Sequence, residues 1–194
     1  CDWYVNDIPE DNIVSLQEYI IQLEDSIEVS NAYHIGDLAE GGIIFYIDET
    51  GQHGLVSAQE DLEGTYEWGC YNQNVSGADS KWIGSGLQNT MDIINQGCAT
   101  QNGGITAAQA ALDAEINGYS DWYLPSRDEL YQMYLNIGQG GLNANNNIGG
   151  FSSDWRWSSS EIYSNGAWLV GFDDGSTAGT NKVNTIRVRV IRAF

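Results

Sequence analysis

The 194-residue sequence predicts an α+β fold, an antiparallel sheet with two or three segregated helices, behind a short N-terminal coiled-coil helix. Three observations predict it. Apolar runs of strand length occupy 43–47 and 54–58, on either side of a turn. Capped segments of helical spacing then follow. The chain afterwards returns to short strands marked by aromatics, with no βαβ alternation and no internal repeat. At 42% hydrophobic the composition supplies a core, which argues against global disorder.

Residues 1–11 are an acidic stretch with Pro9 and read as a tether. Asp11 or Asn12 suits the cap of a stalk helix over 12–32. Within it Ile13, Leu16, Ile20, Leu23 and Ile27 alternate spacings of three and four, a heptad seam with Ile at a and Leu at d. A helix so short is marginal alone. Self-association through 12–30 is therefore expected, and docking on the globular part is the alternative.

The globular domain is expected over 33–194. Ile43 to Ile47, preceded by Gly41-Gly42, and His53 to Ala58 form a hairpin around the turn Asp48-Glu49-Thr50-Gly51-Gln52. Residues 59–83 lack periodicity and read as loop. A helix follows from Gly86 to Gln96, with Leu87, Met91 and Ile94 as its apolar stripe and Gly97 as its stop. Thr106 suits the cap of a second helix, Ala107 to Ile116, ended by Gly118. Ser126-Arg127-Asp128-Glu129 has capping-box form, and Leu130, Met133 and Tyr134 give a third helix its inner face. After the Gly/Asn-rich loop 138–150, strands are expected around Trp157, Trp168–Phe172 and Ile186–Ile191.

Charge excludes one class of partner. Asp and Glu number 27 against 7 Lys and Arg, a net charge of −20, so nucleic acid is not expected. Lys182, Arg187, Arg189 and Arg192 crowd the end of the chain, where internal carboxylates are their expected partners. There is no apolar run of membrane-spanning length. The first residue, Cys1, fits either the acylated start of a mature lipoprotein or an arbitrary chain boundary, and only the first attaches the chain to a membrane. Cys70 and Cys98 would form one disulfide in a secreted protein.

Catalytic signals are weak. Two histidines, His34 and His53, are poor material for a metal centre or a His-based triad. Ser158-Ser159-Ser160 lacks the flanking glycines of a nucleophile elbow. Asp173-Asp174-Gly175-Ser176 lacks the spacing of an EF-hand and reads as a turn. No cofactor is expected, with calcium the one left open. Seven Trp and eleven Tyr instead suit recognition surfaces, through large area and a polar handle. In the tail, aromatic and arginine landmarks alternate with small polar runs, a pattern suited to display from a few buried anchors.

The motifs Ile35-Gly36-Asp37, Gly41-Gly42-Ile43-Ile44-Phe45, Gly51-Gln52-His53-Gly54-Leu55, Gly118 to Ser126, Trp157 to Glu161 and Arg187-Val188-Arg189 resemble the C-terminal domain of collagen-like bacterial adhesins, the Lcl C-terminal family. The resemblance covers about 33–194. It implies a variant of the C-type lectin-like fold, extracellular or cell-surface display, and a trimer. The tail also resembles the variable proteins of diversity-generating retroelements, which implies ligand-facing residues near the C-terminus. Adhesins of this family bind sulfated glycans, a ligand that a charge of −20 disfavours here.

The candidate ligand-binding residues are Tyr163, Asn165, Leu169, Asp173, Ser176, Thr177 and Asn181. Alternation puts Trp168, Val170 and Phe172 on one core-facing side of a strand, so Leu169 is expected on an exposed face with Tyr163, Asp173, Thr177 and Asn181. The leading expectation is a binding module for a glycan or a cell-surface protein. The alternatives are a structural tip that caps a stalk and, behind both, an enzyme of the formylglycine-generating branch with Cys70 and Cys98 as active thiols.

Overall fold

A computed structural model describes residues 15–23, 33–140 and 146–194. The chain divides after Tyr33 into two units, Cys1–Tyr33 and His34–Phe194. In the first, residues 15–23 are helical (α1), and Leu16 and Ile20 of the expected seam are 54% and 50% exposed. The expected tether, the Cys1 anchor, and Ile13 and Ile27 of the seam lie outside the described residues.

Among its described residues, the second unit holds two antiparallel sheets and three helices. Strands β1 (Leu38–Ala39), β2 (Gly42–Ile47), β3 (Gly54–Ser57) and β7 (Ile191–Ala193) form one sheet in the order β1-β2-β3-β7. Strands β4 (Trp155–Tyr163), β5 (Gly166–Gly171) and β6 (Thr177–Asn181) form the other, in sequence order. The final residues therefore return to the first hairpin, with Val56 opposite Arg192.

The helices are α2 (Gly86–Asn95), α3 (Ala107–Leu112) and α4 (Arg127–Ile137). The capping box of α4 is present: the Ser126 side chain accepts from the Glu129 N–H, and the Glu129 side chain accepts from the Ser126 N–H. Its inner face, Leu130, Met133 and Tyr134, joins Ile43, Phe45, Leu55, Val170, Phe172 and Ile191 in the main core. Asn136 adds a tie to the Phe45 carbonyl at 2.8 Å.

Four expectations change. Helix α2 turns Leu87 and Met91 to solvent and buries Asn89, Thr90 and Ile93. Polar burial is tolerated there because Asn89 donates to the Ser80 carbonyl and Thr90 bonds to Gly86 and Leu124. Helix α3 ends at Leu112, well before Ile116, with Asp113 as C-cap. Residues 177–181 form a strand, directly after the turn expected at 173–176 and outside the strands expected from the sequence. Ile186 and Arg187 pair by isolated bridges, Val188 and Val190 accept single backbone bonds from Leu62 and Ala58, and the regular strand starts at Ile191.

Cys70 and Cys98 are joined as a disulfide, which ties the loop after Trp68 to the end of α2. Neither sulfur is a free thiol. Among the described residues, no helix is long and apolar enough to cross a membrane.

Candidate functional site

The C-terminal sheet is assembled from unlikely material. Strand β4 buries Arg156, Trp157, Ser158, Ser159, Ser160 and Glu161, of which only Trp157 is apolar. Each buried polar group has a partner. Arg156 and Arg189 both grip Asp61, at 2.8–2.9 Å. Arg189 also donates to three carbonyls, those of Ala58, Gln59 and Gly149. Burial alone would push the Asp61 carboxyl up, but the two guanidiniums outweigh it and hold Asp61 below its ordinary range.

A second buried ion pair, Lys182 with Glu161, fixes the far side of the sheet. Lys182 also donates to the Gln73 carbonyl at 2.9 Å and lies 4.5 Å from the centre of the Trp68 ring. Burial lowers the Lys182 pKa, and Glu161 opposes the shift without cancelling it. Arg187 pairs with Asp154, and Arg192 with Asp121 and Glu40. All four basic residues of the tail thus bind internal carboxylates, as expected from the sequence.

The seven candidate ligand residues do not form one patch. Tyr163, Asn165 and Asn181 meet at one end of the sheet, where Gly166 pairs with Asn181. With Gly166, Gly179 and Thr180 they line a depression of about 160 Å³. Tyr163 is 58% exposed and Asn165 is exposed. Asp173, Ser176 and Thr177 lie at the other end, where Val170 pairs with Thr177. Four residue steps separate the ends, roughly 14 Å of strand.

Leu169 is the residue wrongly assigned. It is 4% exposed and pairs with buried Trp157. The alternation itself was sound, since Val170 and Phe172 are core. The opposite face is buried too, because the loop through Tyr66 and Trp68 covers it: Trp157 Nε1 donates to the Tyr66 carbonyl and Trp68 Nε1 to the Ser158 carbonyl. Trp168, expected in the core, is instead half-buried at its margin. Arg127 and Lys81 lie 5.1 and 5.9 Å from its ring centre.

Sequence reasoning also missed the segment that carries Lys81 and Trp82. Trp82 is 72% exposed, yet its backbone is pinned to the start of α4. Ser126 Oγ donates to the Trp82 carbonyl, the Asp128 N–H to the Lys81 carbonyl, and the Gly84 N–H to Glu129. Burial pushes the Glu129 carboxyl up, against the N–H bonds of Ser126, Gly84 and Gly86. The capping box was a readable signal for Glu129, but no local pattern linked it to residues 82–86.

The Asp173–Ser176 segment is a turn in which Asp174 accepts from the Ser176 N–H at 2.8 Å. Among the described residues, no group of three His, Cys, Asp or Glu side chains is placed to hold a metal.

The model of the Lcl C-terminal domain family matches residues 60–192. Among solved structures, the chain is similar to a fimbrial protein from Bacteroides ovatus, with 15% identity and a TM-score of 0.50. That match covers 71% of this chain and 35% of the fimbrial protein, so the chain spans about a third of that length. At such identity the likeness concerns the fold. No curated protein matches.

Proposed function

The chain belongs to the Lcl C-terminal domain family, and from that premise we propose an adhesin-type binding module displayed outside the cell. It is proposed to recognise a glycan or a protein through the open end of the β4–β5–β6 sheet, on a C-type lectin-like scaffold. The observation that carries this is the depression lined by Tyr163, Asn165 and Asn181. It opens beside an exposed aromatic, on strands clamped from within by two buried ion clusters. Such a surface is rigid but has little duty in the core. The alternative with Cys70 and Cys98 as active thiols loses support because the two are bonded to each other.

The exposed Leu16 and Ile20 of α1 support self-association through the stalk helix; Ile at a with Leu at d by itself favours two strands, and the trimer proposed here rests on the family resemblance. A lipid anchor at Cys1 belongs to the same proposal. An array of glycans and cell-surface proteins, probed with the chain with and without calcium, tests the function. Saturable binding weakened by Tyr163→Ala is the expected result. A blank array in both conditions would instead favour a structural tip.

A further inference from the structure

We propose that the outer edge of β6 is a docking site for an extended segment of a partner protein, added to the β4–β5–β6 sheet as a fourth strand. This rests on the binding-module reading and commits its ligand to polypeptide.

The register identifies the free backbone groups. The Lys182 N–H donates to the Asn165 carbonyl at 3.0 Å and the Gly171 N–H to the Ser176 carbonyl at 2.9 Å. Alternation between these two points turns the N–H and C=O groups of Thr180 and Ala178 toward β5. Those of Thr177 and Gly179 therefore point away from the sheet. Among the described residues, no hydrogen bond reaches these outward groups.

The other edges are covered or very short. Along β4, the N–H groups of Trp157, Ser159 and Glu161 donate to the carbonyls of Arg187, Pro125 and Ala78. Beside β7, Ile191 and Tyr123 exchange two backbone bonds at 2.8 and 3.0 Å. Strand β1 has two residues. Edges left open are ordinarily guarded by charge, proline or a bulge. Strand β6, Thr177-Ala178-Gly179-Thr180-Asn181, has neither charge nor proline, and its pairing with β5 is regular.

Charge argues for a foreign strand over a second copy. The chain carries −20 overall, which opposes edge-to-edge contact between the globular units of two copies and favours a cationic peptide. Within β6 there is no Asp or Glu, while Asp173 and Asp174 stand exposed just before it, so a peptide with basic residues is favoured at the Thr177 end. Specificity has a place to reside as well, since the depression beside Tyr163 shares Gly179, Thr180 and Asn181 with the strand. Main-chain bonds would supply affinity there, and the depression would select a side chain.

The test pans a random-peptide phage library on the full chain and resynthesises enriched peptides. N-methylation along a peptide should reduce affinity at every second position, the signature of strand pairing. Amide exchange at Thr177 and Gly179 should slow on binding. Thr177→Pro, which removes an outward N–H at the start of an edge strand, should weaken binding by about tenfold at unchanged melting temperature. If the proline variant unfolds, the N-methyl scan on the unaltered chain decides.

No enrichment, equal sensitivity at all N-methyl positions, or normal binding by a folded Thr177→Pro variant overturns the proposal. So does slow exchange at these amides in a chain that dimerises without peptide. A glycan hit with no peptide enrichment removes this inference alone, whereas a blank array together with failed panning removes the binding-module reading.

Discussion

The two sheets of the domain are held together by opposite means. In the β1-β2-β3-β7 sheet, Ile43, Ile44, Phe45, Leu55 and Val56 are buried, and their apolar area is the source of stability. In the β4-β5-β6 sheet, a long stretch of β4 is equally buried but, apart from Trp157, consists of serines and charged groups held by specific partners. An apolar sheet tolerates conservative exchange, because burial is non-directional. A sheet built on buried ion pairs depends on each partner, because one orphaned charge costs several kcal/mol. The polar sheet gains a separation of duties: with anchors fixed from within, Tyr163, Asn165 and Thr177 are left free of structural work.

The largest test of this contrast is Asp61→Ala. It strands the buried guanidiniums of Arg156 and Arg189, and the expected loss is about 3–5 kcal/mol by urea denaturation. Ile44→Val in the apolar sheet should cost only about 1 kcal/mol. Equal effects would break the comparison. The same carboxylate sets a pH dependence. Its folded pKa lies below the unfolded value, so its contribution is present above about pH 4 and lost as pH falls further. Acid unfolding followed by fluorescence should show a shallower acid limb in Asp61→Asn.

Next in size is the disulfide. Reduction of Cys70–Cys98 should lower stability by roughly 3 kcal/mol, read as a shift of the urea midpoint with and without reductant. Mass spectrometry without reductant should recover the linked peptides, and two free thiols would refute the pairing.

A smaller and sharper test compares neighbours. Leu169→Ala empties a buried site and should cost about 2–4 kcal/mol. Trp168→Ala, at the half-buried margin, should cost less despite removing the larger side chain. The reverse order would restore the simple two-faced strand. The smallest effects belong to the display residues. Tyr163→Ala, Asn165→Ala and Thr177→Ala should each stay within about 0.5 kcal/mol of the unaltered chain by thermal melting.

Where a segment's fate depended on its neighbours in sequence, the sequence was readable. The β2–β3 hairpin, the Thr106 cap and the Ser126–Glu129 capping box follow from local chemistry, and each was found with small errors at its ends. Misreadings arose where a distant segment decided the outcome. Leu169 was assigned to solvent because alternation names two faces but does not say that the Tyr66–Trp68 loop covers the second. The stripe on α2 was misassigned because Ser80, Leu124 and Ser159, all outside the helix, bond the Asn89 amide nitrogen and the Thr90 hydroxyl.

The same division holds for the candidate site. Composition argued against a nucleic-acid partner, and the spacing of small polar residues pointed to 162–181, the region on which the proposed site rests. The sequence by itself also determined that the terminal cations would need carboxylate partners, since a buried arginine left unpaired is too costly. Only the tertiary structure decided which carboxylates, because Asp61 lies far in sequence from both Arg156 and Arg189. It alone also separated Tyr163 from Thr177 and left the edge of β6 open. Both outcomes depend on strand register and on which segments cover which edges, and these are set by long-range packing that a period-two pattern does not encode.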